Sequence, residues 1–328
     1  MSENIGAHSE YGTLREVVVG IPDGLTLPPF SKDLSHYNDE LRTALEAANG
    51  KPLPIEQAFP DRYAETAAQM EGVAETFERF GVKVHRPRPY NEAETRYLGS
   101  LQQGHSQLYV ADPVFVIGNH YMEISIRRAY RRKEVFPLRD LIVPMIEDDP
   151  DAHYVAMPQS APFDPSDDGP GPFLEGGDIL IEGTDIIVGC GELCSNRAGI
   201  NWLARYIEPY GYKVHAMPIK GPILHALGVM CLLREGLVMA HLPALEEGLP
   251  EPLKDWDVIE ITRDEMDAHA TVGVSLDDKH YMIDPRFNRV MNELARKGVE
   301  PVPTPCQAIG FWGGAIRCIT LPLRRDAA

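Results

Sequence analysis

Cysteine is scarce in this chain and lacks pattern. Five occur in 328 residues, at 190, 194, 231, 306 and 318, with no CxxC pair and no zinc-ligand spacing. An odd, unpatterned set in a long chain points to reduced thiols, so a cytoplasmic setting and no bound metal are the expectations. Positive charge is also short. Thirty-one Lys and Arg stand against 49 Asp and Glu, for a net charge of -18. Nucleic-acid phosphates and anionic lipid surfaces repel such a polyanion, so neither is an expected partner, whereas a small cation suits it. No apolar run approaches the length of a membrane span. The first twelve residues, MSENIGAHSEYG, have neither the basic nor the apolar region of a secretory signal. No GxGxxG or Walker sequence occurs, which argues against nucleotide-binding sheets and leaves no cofactor implied.

What is present is a weak internal repeat. Hairpin patterns run over 114–124, 178–188, 229–239 and 272–283, each with a Gly, Asn or Asp turn between β-rich runs. Helical patterns run over 62–80, 196–207 and 287–297. Each helix ends in a glycine-led strand, at Gly81, Gly211 and Gly298, where a C-terminal cap is expected. The unit is hairpin, helix, strand. Roughly five units are legible, the first of them split between the two ends of the chain. Repetition of this kind argues for a closed radial array over a Rossmann sheet. No linker divides the units, so 1–328 reads as one domain. Two stretches interrupt the pattern. Residues 22–60 are proline-rich without periodicity, and Ala161 to Pro172 reads as a loop placed where a lid could sit.

Four places carry potential chemistry. Phe173-Leu-Glu175-Gly-Gly-Asp178-Ile-Leu sets two carboxylates around two glycines at a strand entrance; glycines there let backbone or ligand come close. His225 stands in the apolar run Ile223-Leu-His-Ala-Leu227-Gly ahead of a hairpin. A lone histidine in such a run is more often core than catalyst. Gly310-Phe-Trp-Gly-Gly-Ala-Ile-Arg317-Cys318 delivers a cysteine after a glycine-rich loop. Its place beside Arg317 predicts an exposed thiol of low pKa. Asp112 enters the apolar strand Leu108-Tyr-Val-Ala-Asp-Pro-Val-Phe. A buried acid needs a partner, which a cationic ligand would supply.

In this order, Asp112, the EGGD motif at 175–178, His225 and GG-x-x-x-Cys318 together resemble the guanidino-group-modifying enzymes. That superfamily comprises amidinotransferases, arginine and agmatine deiminases, and dimethylarginine dimethylaminohydrolases. The resemblance covers nearly the whole chain. Leu14-Arg-Glu-Val-Val-Val-Gly20, Leu27-Pro-Pro-Phe30, Gly81 to Pro87, Gly118 to Glu123, Arg127 to Arg132, Asp277 to Asp284 and Cys318 to Arg325 are similar to glycine and inosamine-phosphate amidinotransferases. EGGDIL and Val188-Gly-Cys are closer to the dimethylarginine hydrolases. The resemblance implies a five-bladed, pseudosymmetric α/β propeller of ββαβ units. It implies catalysis by Cys318, His225 and Glu175, with Asp112, Asp178 and Leu227 facing the substrate, and no metal or cofactor. The implied activity passes an amidino group from a small cationic guanidino substrate to an amine acceptor through a thiouronium on Cys318. The alternative is hydrolysis of an N-substituted guanidine, and a catalytically silent binding propeller ranks below both. The resemblance leaves a homodimer open.

Three departures stand out. Leu227 occupies a position where many relatives have a second guanidinium-binding aspartate. Gly273 stands where amidinotransferases have asparagine. The stretch after Leu237–His241 lacks their carboxylate-binding arginine. Together they predict an apolar pocket edge at Leu227 and poor binding of free arginine.

Overall fold

The computed structural model describes residues 4–29, 38–100, 104–161 and 169–328. Phe30, residues 30–37 of the proline-rich stretch and residues 162–168 of the loop before the EGGD motif lie outside them. The fold is mixed α/β, and five three-stranded groupings share one topology. In each, two strands form an antiparallel pair and a third runs parallel to the second.

The plainest example pairs Ile179–Glu182 with Asp185–Cys190 around Gly183 and adds Lys213–Pro218 in parallel. Between the last two strands the chain crosses over as the helix Arg197–Ile207. Asn196 starts that helix by accepting from Gly199 N, a cap typically worth about 1 kcal/mol. Gly211 ends the turn that follows in the left-handed region, at φ 93°. Val114–Ile117, His120–Glu123 and His153–Ala156 repeat the pattern, as do Val274–Ser275, His280–Ile283 and Glu300–Pro303.

In a fourth copy, Met230–Arg234, Leu237–Ala240 and Asp257–Glu260, the crossover has no α-helix, only single turns at Leu242–Ala244 and Glu251–Leu253. Pro243, Pro250 and Pro252 explain this, since each removes an N–H and obstructs the preceding turn of a helix. The fifth copy joins the two ends of the chain. Thr320–Arg325 pairs antiparallel with Leu14–Val19, and Lys83–His85 adds in parallel after the helix Pro60–Arg79.

The proline-rich stretch is more ordered than its composition predicts. Ile21–Leu27 is a strand between Leu53–Pro54 and His105–Gln107, in a sheet outside the repeat, and Asp39–Ala47 is a helix. Three of its prolines sit where a missing N–H costs little: Pro22 in the register irregularity after Ile21, Pro54 at the end of the short strand Leu53–Pro54, and Pro60 in the first helical turn. No helix among the described residues is long and apolar enough to cross a membrane.

Candidate active site

The repeat itself assembles the site. Asp112 lies two residues before Val114–Ile117, Glu175 just before Ile179–Glu182, His225 just before Met230–Arg234, and Cys318 two residues before Thr320–Arg325. Each therefore marks the start of the first strand of its unit. All four line one cavity. The remaining unit presents Gly273 at this level. A Cβ there would stand 2.1 Å from the Met282 carbonyl and 2.6 Å from the Tyr281 ring, so packing forbids a side chain.

His225 Nε2 lies 2.7 Å from Glu175 Oε2, and both residues are buried. Glu175 is fixed on its other side, where Oε1 accepts from the Arg127 amide at 2.8 Å. The EGGD glycines make room for this pair. A Cβ on Gly177 would sit 2.5 Å from His225 Nδ1, and one on Gly176 would lie 1.9 Å from the Ala111 carbonyl. His225 itself has φ 67°, a region a non-glycine residue enters at a cost and which clusters at functional sites.

Asp112 has two faces. Oδ2 accepts from Arg131 Nη1 at 2.8 Å. Among the described residues Oδ1 is buried without a hydrogen-bond partner, and it lies 3.7 Å from His225 Nδ1, too long for a bond. Arg131 also forks onto Glu134 through Nε and Nη2. Burial pushes Glu134 up to about 7, although Arg131 pulls the other way. Burial likewise disfavours a charged His225, but Asp112 and Glu175 outweigh it and lift the imidazole to about 9. Burial opposes ionisation of Glu175 too, and the bond to His225 overcomes it, leaving the carboxyl below its usual range.

Cys318 corrects the sequence expectation of an exposed, acidic thiol. It is 9% exposed, and burial together with Asp112 pushes it up to about 12. Arg317 lowers it only slightly, because its side chain turns away toward Glu10 and the Thr320 carbonyl.

Two sequence candidates fall outside the cavity lining. Asp178 is fully buried, with Oδ2 accepting from Ser195 N at 3.0 Å and Oδ1 from Ala226 N at 2.9 Å. It ties the EGGD turn to the His225 turn. The prediction of an apolar pocket edge at Leu227 is corrected. The single turn Ala226–Gly228 rotates Leu227 away from His225 into the core, beside Leu180 and Leu232. The apolar walls are instead Leu25, Leu27, Leu193, Leu224 and Trp312, while Arg128 and Arg131 supply the cations. Sequence reasoning missed Leu25 to Pro28 because they sit in the aperiodic stretch. Arg131 lies in the Arg127 to Arg132 stretch that carries the resemblance, but nothing local marked it as the partner of Asp112, nineteen residues earlier.

Asp178, Cys194 and His225 offer ligand atoms within 4.8 Å of one another, the one such group of three among the described residues. Each is already engaged, however, and His225, lifted to about 9, carries protons on both ring nitrogens at neutral pH. Asp178 serves two backbone amides, His225 Nε2 faces Glu175, and Cys194 Sγ accepts from His225 N. The donor set therefore does not fit a resident metal.

This geometry has counterparts among known proteins. No family model matches the chain. A putative inosamine-phosphate amidinotransferase of Streptomyces griseus is 26% identical over 358 residues, covering 99% of this chain and 97% of its own. Among solved structures, an amidinotransferase of saxitoxin biosynthesis from Microseira wollei superposes with a TM-score of 0.82 at 21% identity, covering 99% and 98% of the two chains. A dimethylarginine dimethylaminohydrolase superposes with a TM-score of 0.64 at 15% identity, covering 94% and 99%. The fold is thus the one shared by amidinotransferases and dimethylarginine hydrolases. Over nearly its whole length the chain is similar to amidinotransferases.

Proposed function

We propose that this protein is a cysteine-dependent amidinotransferase that takes its amidino group from a guanidino compound. The observation that carries the reading is the unpartnered Oδ1 of Asp112, which faces one cavity with Cys318 and the His225–Glu175 pair. A guanidinium supplies the N–H that this oxygen lacks. Its positive charge also offsets the Asp112 field that keeps the Cys318 thiol protonated, so substrate arrival favours the thiolate.

As the guanidinium binds, the Cys318 thiol releases its proton to solvent, and the thiolate attacks the guanidinium carbon and forms a C–S bond. His225, already protonated at neutral pH, gives its proton to the departing amine as the C–N bond breaks. The product is a thiouronium on Cys318. Neutral His225 then takes a proton from the incoming amine, which displaces sulfur and regenerates the enzyme. Glu175 holds the imidazole and stabilises its charged form.

Five units closing into a five-bladed α/β propeller, one domain over 1–328, is the arrangement that supports this site best. Four blades would each contribute one side chain at the same level. A cytoplasmic location suits the free thiols.

Hydrolysis is the second reading, favoured by the EGGD motif and the fold shared with a dimethylarginine hydrolase. A panel of guanidino compounds, each incubated with and without glycine, ornithine or lysine and followed by mass spectrometry, separates the two. A new guanidino product that requires the acceptor is expected. Ureido product without acceptor would replace transfer by hydrolysis, and no product from any pair would overturn both.

A further inference from the structure

Behind the active cavity lies a second set of buried charges that the chemistry above leaves unused. Arg317 is 3% exposed; its Nε stands 3.4 Å from Glu10 Oε2, and Nη1 donates to the Thr320 carbonyl at 3.0 Å. Arg325 is 2% exposed and donates through Nη1 to the Gly12 carbonyl at 2.6 Å. Its Nε is buried with no hydrogen-bond partner. Glu10 and Arg317 border two small cavities, and Arg325 borders the second with Ser275 and Tyr281. Each leaves about 10 Å³ for the centre of a water-sized sphere.

Charge and acceptor are both short here. Two guanidiniums face one carboxylate, whose single contact is long. The neutral hydroxyls nearby are turned elsewhere: Ser275 donates to the Leu232 and Leu233 carbonyls, Tyr281 donates to the Thr271 carbonyl, and neither accepts from Arg325 Nε. Burial pushes Arg325 down to about 10; Glu10 and, more weakly, Asp277 hold it partly back, and Arg317 adds to the fall. Arginine does not shed its proton in proteins, and a buried, uncompensated charge is costly.

We propose that the space between Arg325, Arg317 and Glu10 is a binding site for one small monovalent anion of about chloride's size. A water would satisfy the Arg325 Nε donor only through its lone pair and leave the surplus charge in place. An anion does both. A space this small favours one spherical ion over a phosphate or an amino-acid carboxylate.

The test is thermal melting at constant ionic strength, with chloride or bromide replacing gluconate, alongside crystals grown in bromide. A saturable halide-specific rise of about 3 °C is expected, with an anomalous bromide peak against Arg325 Nε. In Arg325→Met the halide shift should vanish, because the surplus charge is gone. The bromide crystals of the unaltered protein decide the matter even if that variant does not fold. Equal melting in chloride and gluconate, bromide peaks only elsewhere, or an undiminished halide shift in Arg325→Met would each overturn the site.

Discussion

Cys318 is held as a thiol until something cationic arrives, and this has measurable consequences. Burial and the Asp112 carboxylate push it up to about 12. The thiolate absorbance that Cys318→Ser removes should therefore emerge only in the alkaline range in the free protein. Asp112→Asn should move that titration to lower pH while abolishing turnover, since it removes both the opposing charge and the guanidinium acceptor. Thiolate present at pH 6 in the free protein would contradict the assignment. His225 gives the complementary limb. Its folded pKa, about 9, lies above its ordinary 6.5. Its contribution to stability is fully present below about pH 6.5 and is lost as pH rises through 9. The kcat/KM of the free enzyme should fall across the same upper value. Glu175→Gln should shift that limb to lower pH, and combining it with His225→Ala should cost little beyond His225→Ala alone, because the two share one proton path. Multiplicative losses would separate their roles. These residues were legible because each stands at a strand start marked by glycine or proline. Leu227 was misread because only the φ of His225 and the turn after it decide which way the second residue on points. Arg131 is defined by a contact across nineteen residues, which no local pattern records.

At the level of the element, the EGGD turn is a spacer for an imidazole. Gly177→Ala would place a methyl 2.5 Å from His225 Nδ1. It should lower kcat/KM by about 10²-fold through misplacement of the proton donor, with the melting temperature changed far less. Gly72 is the control. It lies inside the helix Pro60–Arg79 with nothing within 4 Å of its Cβ direction. Gly72→Ala should stabilise the protein by ~0.5–1 kcal/mol and leave kinetics unchanged. If Gly177→Ala kept full activity, the imidazole would have to sit elsewhere during turnover. The hairpins and three of the crossover helices were legible at this scale because alternation, helical periodicity and terminal glycines coincide in them. The strand Ile21–Leu27 was not, because its pairing partners lie at 53–54 and 105–107 and its own prolines conceal it.

Across the whole molecule, the unit split between the chain ends was the least marked in sequence, yet it is the widest of the five. Thr320–Arg325 lies between Gly6–Ala7 and Leu14–Val19, with Ile319, Leu321 and Leu323 almost fully buried. Leu323→Ala should cost ~2–5 kcal/mol, as truncations in a closed core do. A chain stopped before Thr320 should show no cooperative melt by circular dichroism. A sharp transition in that shortened chain would mean that the sheet closes without its central strand.

That sheet also sets a schedule for biosynthesis. Thr320–Arg325 is made about 300 residues after Leu14–Val19, the strand it pairs with. At the usual pace of translation, Leu14–Val19 waits roughly 15–60 s for its neighbour. Throughout that interval Val17, Val18 and Val19, none of them exposed in the finished protein, have an open edge on which any other extended segment can add. The nascent chain therefore carries an aggregation-prone edge at Leu14–Val19 until Thr320–Arg325 is made and pairs with it.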